Sequence, residues 1–249
     1  MSILEEKWNL SQQAQEFFVY ATLGIVPEWL FNQLNYEEYL PLKHDLKWDY
    51  KKYCTFMCAK AAYNDLCRTL EYKDEYKTTG KKVKVKESAI NNICIDLVQA
   101  INKDGQTVSD SEKLFSVFFN DKKMDDQILK EYLKEYKSKD KELKNEQKFH
   151  FGQTQKWVNM TLKYLYLLGI VENPDNLHIP IDSYILKAMN QKNISIHNKV
   201  WSQFSYEDYI ELYGLYEKEI NEPYINWEHT AWIKQAEIEK GISEKVDAP

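Results

Sequence analysis

The chain has 249 residues, 43% hydrophobic and 29% charged, which is the balance of a globular protein rather than a disordered or fibrous one. With 7 Gly and 6 Pro it has little of the turn chemistry that many short strands require, so composition points to an all-α chain. The net charge of −6 argues against a protein that coats nucleic acid nonspecifically, because such proteins draw most of their affinity from many phosphate contacts.

Ser11 is placed to N-cap a helix through Gln15, Phe18, Tyr20 and Leu23, and Pro27 opens a second over 28–34. Helical spacing of Tyr53, Phe56, Met57, Ala61, Leu66 and Leu70 predicts a long helix over 49–72. Further helices are expected over 87–102 and around Leu114 to Phe118. Residues 125–148 begin as a packed helix and grow more charged after Lys139. Two last helices, 206–220 and 227–240, are separated at Pro223. No internal repeat or low-complexity linker forces a split, so 1–249 reads as a single helical domain, or two helical lobes, built as a helical bundle or layered helical domain.

The first ten residues carry Glu5, Glu6 and Lys7 with no apolar leader core, and the apolar runs are too short to cross a bilayer. A cytoplasmic protein with no membrane partner is expected. Cys54, Cys58, Cys67 and Cys94 lack the paired spacing of a zinc site and read as reduced, buried small hydrophobes. Lys81, Lys82, Lys84 and Lys86 alternate with Val83 and Val85, which makes Lys84 and Lys86 candidate phosphate contacts or else a solvated loop or edge strand. His44 beside Asp45 lacks the further ligands of a phosphohydrolase site and reads as an exposed turn.

Chemistry concentrates in residues 150–190. The stretch 153–168 is a helix apolar on nearly every side, so it belongs inside the protein. Its exceptions, Lys156, Asn159 and Lys163, are three and four residues apart and line one narrow stripe. A partly desolvated lysine there would suit nucleophilic attack near neutral pH; lysine stems snorkelling to solvent explain the stripe as well. After Gly169 and Pro174, Pro180 holds its predecessor extended and Asp182 stands as N-cap of a helix starting near Ser183. Capping alone explains an Asp at that place. A carboxylate fixed at a helix N-terminus is also suited to stabilising a cationic sugar.

A buried helix with a lysine near its start, then a loop, then hydrophobic-Pro-hydrophobic-Asp leading into a helix resembles the active-site signature of the helix-hairpin-helix DNA glycosylases. Gln155, Lys156 and Trp157 through Tyr166, followed by Ile179, Pro180, Ile181 and Asp182, are most similar to the archaeal 8-oxoguanine glycosylase branch. Gly152, Gln153 and Thr154 stand where an atypical hairpin would. The resemblance implies the helix-hairpin-helix glycosylase type of fold, Lys156 as nucleophile on the sugar C1′ and Asp182 as the aspartate that supports base departure and proton transfer. It also implies excision of an oxidised or otherwise modified base, in host repair or against modified phage DNA, with AP-lyase activity from a lysine Schiff base. No cofactor or metal is required, and the partner is double-stranded DNA with a flipped base.

Gln153, Gln155, Asn159, Lys163 and His178 are the further candidate contacts to substrate or DNA. An aromatic or apolar pocket wall is needed for a flipped base. Trp157, Trp201, Trp227 and Trp232 each fit a core position better than a stacking one. The competing function is a noncatalytic helical binding protein for a protein or nucleotide, with Asp182 only a cap and Lys156 only surface.

Overall fold

The computed structural model describes residues 12–33, 48–67, 87–102, 110–120, 150–174, 176–196, 199–220 and 224–241. Lys84 and Lys86, with their neighbours Lys81 and Lys82, lie outside these residues, as do His44, Asp45, Ser11, the 125–148 helix and the Cys67 side chain. Every regular element among the described residues is helical. In chain order they are α1 (Gln12–Leu23), α2 (Glu28–Gln33), α3 (Tyr50–Cys67), α4 (Glu87–Ile101) and α5 (Ser111–Phe115), which continues into a π-helical turn, Ser116–Asn120. Then follow α6 (Phe151–Leu167), α7 (Ser183–Asn190), a 3₁₀ turn (Trp201–Gln203), α8 (Tyr206–Glu219) and α9 (Tyr224–Glu239). No helix among them is long and apolar enough to cross a membrane.

The centre of the fold is α6, and its sequence explains why. Lys156, Trp157, Val158 and Asn159 are all buried, and four consecutive residues point to every side of a helix, so the helix is covered on several sides at once. It packs against α3, α5, α8 and the 3₁₀ turn, while α3 also packs on α4 and α7 on α9. Trp157 is sealed between these layers: its ring meets Phe118 edge-on, and its Nε1–H donates to the Ala59 carbonyl of α3 at 3.0 Å. Truncating a side chain so enclosed costs about 3–5 kcal/mol. Buried side chains from α2 to α9 form one continuous cluster, against which Val19 and Leu23 of α1 are laid. Cys54, Cys58 and Cys94 are buried within it.

The helix ends follow local chemistry. Gly169 terminates α6 at φ +72°, with its N–H bonded to the Tyr166 carbonyl and the Ile170 N–H to that of Leu165 at 2.9 Å. That is the paired hydrogen-bond arrangement in which glycine removes the steric penalty of a left-handed residue. Ser205 opens α8 with a reciprocal cap: its Oγ accepts from the Asp208 N–H at 3.2 Å, and Asp208 accepts from the Ser205 N–H at 3.0 Å. The last helix starts at Tyr224 rather than 227, because Ile225 already belongs to the buried face.

Candidate active site

Asp182 is the N-cap of α7. Its backbone is extended (φ −131°, ψ −170°), and Oδ1 accepts from the N–H groups of Tyr184 at 3.0 Å and Ile185 at 3.1 Å. Two of the unsatisfied donors of the first turn are thereby met, and the helix dipole stabilises negative charge at the same point. The other oxygen, Oδ2, is left to face across to neighbouring elements.

Lys156 reaches that oxygen from α6. Its Nζ stands 3.5 Å from Asp182 Oδ2, with the lysine side chain 11% and the aspartate 14% exposed. The amine also lies 5.0 Å from the centre of the Trp201 ring. Trp201 gets there because the 3₁₀ turn presses onto the first turn of α6, where the Gly152 N–H donates to the Phe204 carbonyl at 3.0 Å. A Cβ on residue 152 would sit 1.8 Å from the Trp201 carbonyl oxygen, so the approach depends on glycine. Residues 152–154 are thus the opening of α6 itself, and Gln153 serves there as a cap whose Oε1 accepts from the His150 N–H at 3.1 Å.

The extended segment before Asp182 is gripped by α6. Gln155 is fully buried; its Nε2 donates to the Ile181 carbonyl at 2.7 Å and its Oε1 accepts the Ile181 N–H at 3.1 Å. One turn later Asn159 Nδ2, also buried, lies 3.1 Å from the Ile179 carbonyl and 3.2 Å from the Tyr209 hydroxyl. Both residues were expected as contacts to substrate or DNA. Their amides instead satisfy buried backbone that would otherwise lack partners.

Lys163 likewise points inward. It forms an ion pair with Glu228 of α9, whose side chain is 2% exposed. Burial pushes the Glu228 carboxyl up against the pull of Lys163, and the charge of Asp182 adds to the rise. Glu228 begins a row along α9: Trp232 Nε1–H donates to Asp182 Oδ2 at 3.3 Å, Gln235 Oε1 accepts from Gln191 at 3.1 Å, and Glu239 pairs with Lys187. Their spacing of four, three and four residues puts them on one helical face, which docks on α6 and α7 through polar contacts.

His178 does not flank the ionic pair as a charged group. Its ring stacks on Tyr213 at 4.1 Å between centroids, and its Nδ1 lies 3.0 Å from the Tyr209 hydroxyl. Burial pushes its pKa down to about 4, outweighing the carboxylates of Glu217 and Asp110, so the ring is neutral at pH 7. A neutral, stacked imidazole is no phosphate ligand. Burial holds the Tyr209 phenol far above its ordinary range, so it stays protonated and can donate to His178 while accepting from Asn159.

Of the candidates, the structure brings together Lys156 and Asp182, buries Gln155 and Asn159, pairs Lys163 with Glu228 and stacks His178 on Tyr213. Trp201 and Trp232 were expected, like Trp157 and Trp227, at core positions. Trp157 and Trp227 are core residues, whereas Trp232 is 38% exposed and Trp201 covers the amine. The pair therefore sits between two indoles, one buried and one open, with Tyr184 edge-on to Trp232 at 5.1 Å. A carboxylate and an amine so placed can flank a single reacting carbon. No protein-family model, curated protein or solved structure shows a significant match to the chain.

Proposed function

We propose that the chain is a DNA glycosylase that excises an oxidised or otherwise modified base, with Lys156 as nucleophile and Asp182 as its acid-base and electrostatic partner. The observation that supports this best is the 3.5 Å approach of an amine and a carboxylate separated by 26 residues, the carboxylate anchored by a helix N-terminus. In this mechanism Asp182 takes a proton from the Lys156 ammonium group with which it pairs, and the freed lone pair bonds to C1′ of the flipped nucleotide. The glycosidic bond breaks, the base leaves with its electron pair, and Asp182 returns the proton to it. The attacking nitrogen then gives a proton to the ring oxygen O4′ as the sugar opens, and its C–N bond becomes the C=N of a Schiff base. As it gives its proton to the base, Asp182 becomes a carboxylate again and faces the charge left on the sugar, and the open indole of Trp232 offers a stacking surface for the extruded base.

Borohydride reduction tests the reading on duplexes carrying an abasic site, 8-oxoguanine or other modified bases. The wild-type chain should become covalently fixed to DNA, because reduction makes the lysine Schiff base permanent. A wild-type protein that neither forms an adduct nor releases a base from any of these duplexes would leave the noncatalytic binding protein as the better account.

A further inference from the structure

The Lys156–Asp182 approach has its geometric origin one residue upstream on each element. Gln155 immediately precedes Lys156 in α6, and Ile181 immediately precedes Asp182. Through the Gln155 amide, which donates to the Ile181 carbonyl at 2.7 Å and accepts its N–H at 3.1 Å, the side chain copies the donor-acceptor pair of a neighbouring strand. The same helix face repeats the grip one turn on, where Asn159 reaches the Ile179 carbonyl at 3.1 Å. The two periods match: four helical residues rise about 6 Å and two extended residues about 6.7 Å, so amides at i and i+4 meet alternate peptides of the segment. Running antiparallel to α6, the segment is indexed to it residue by residue.

We propose that Gln155 is a positioning residue that sets the distance and orientation between Lys156 and Asp182 by fixing the peptide on the N-terminal side of the carboxylate. Its activity readout rests on the glycosylase reading, but the geometry can be followed without it. Misplacing a reacting group by about 1 Å costs on the order of 10²-fold in rate. Gln155→Met preserves length and removes both hydrogen bonds, so the single-turnover rate of borohydride trapping should fall by roughly that factor while the Kd for duplex DNA is unchanged.

Thr161→Val is the matched control. It removes a buried hydrogen bond of the same helix, from Oγ1 to the Trp157 carbonyl at 2.8 Å, that does not touch the segment. Trapping at the wild-type rate is expected there. The second readout is the Trp232 indole N–H resonance, assigned with Trp232→Phe, since that group donates to Asp182 Oδ2. It should shift in Gln155→Met and stay put in Thr161→Val. Where Gln155→Met is unfolded, Gln155→Asn keeps the amide but shortens its reach by one methylene, and is held to the same outcomes. Wild-type trapping kinetics with an unmoved Trp232 resonance would overturn the proposal, and so would equal losses in the Gln155 and Thr161 variants. A wild-type protein that does not trap counts against the glycosylase reading alone, and the indole resonance then decides the role of Gln155.

Discussion

Lys163 meets Glu228, whose side chain is 2% exposed, two turns along α6 from Lys156, whose partner Asp182 is 14% exposed. The two amines of one helix face therefore have different partners and different duties. Lys156→Gln should abolish borohydride trapping and strand cleavage while the fold survives, because a long polar side chain still fits beside Asp182. Lys163→Gln should leave trapping nearly intact. Loss of trapping in Lys163→Gln alone would move the nucleophile to Lys163.

Lys163→Gln should instead be felt in stability, with a definite pH dependence. Burial raises the folded-state pKa of Glu228 above its ordinary value near 4.5, so between these two values the folded protein holds more protons than the unfolded one. Stability is then lost as pH rises through that window. Removing the lysine leaves the carboxylate buried without its cation, so the variant should lie about 3 kcal/mol below wild type at pH 8 and recover toward pH 4.5. Urea denaturation at both pH values measures the difference. An offset independent of pH would show that Glu228 is not its source.

His178 gives the opposite slope. Its folded pKa of about 4 lies below the ordinary 6.5, so the unfolded state binds the proton first as pH falls. The stability associated with its neutral form is complete above pH 6.5 and is lost on descending to about pH 4, amounting to about 3 kcal/mol. His178→Phe keeps a ring against Tyr213 and cannot titrate, so its stability should fall less steeply over that interval. Parallel curves for the two proteins would contradict the assignment.

Asp182→Asn separates the cap from the charge. An amide oxygen can still accept from Tyr184 and Ile185, so the cap itself should change by less than about 1 kcal/mol, while the amide nitrogen cannot accept from Lys156 and Trp232 as Oδ2 does. Trapping and base release should be lost with the carboxylate. Equal activity in the two proteins would make Asp182 a structural residue only.

Gly152→Ala tests how the Trp201 turn is seated. The new methyl collides with backbone rather than with a flexible side chain, so the 3₁₀ turn must move away from α6. A cost of about 3 kcal/mol, or roughly 10 °C in Tm, is expected, together with altered tryptophan fluorescence as Trp201 leaves the amine. A variant with wild-type Tm and emission would mean that the turn yields without cost.

What could be read from sequence was local. Asp182 declared itself because N-capping depends on residues one to three positions away, and α6 did so because its apolar side chains point in every direction. Gln155 was misjudged as a contact to ligand, since its partner Ile181 is 26 residues distant and the match between helix rise and strand rise exists only after packing. His178 was placed too near the pair: four extended residues span about 13 Å, which carries it away from Asp182 toward Tyr209 and Tyr213. The row Glu228, Trp232, Gln235 and Glu239 is polar at helical spacing, and a docked polar face has the same pattern as a solvated one. Trp201 and Trp232 were hidden by number, among 7 Trp and 18 Tyr.

The absent side chain at Gly152 turns the first turn of α6 into a word that can be searched for. Any chain that seats the same 3₁₀ turn on the same helix must leave out a Cβ there. Within the five letters Gly-Gln-Thr-Gln-Lys, residue 152 admits the turn, 155 indexes the segment and 156 brings the amine. A pattern of Gly-x-x-Gln-Lys followed 26 residues later by a capping Asp is narrower than lysine and aspartate alone. It would pick out distant chains by what their backbones must leave room for.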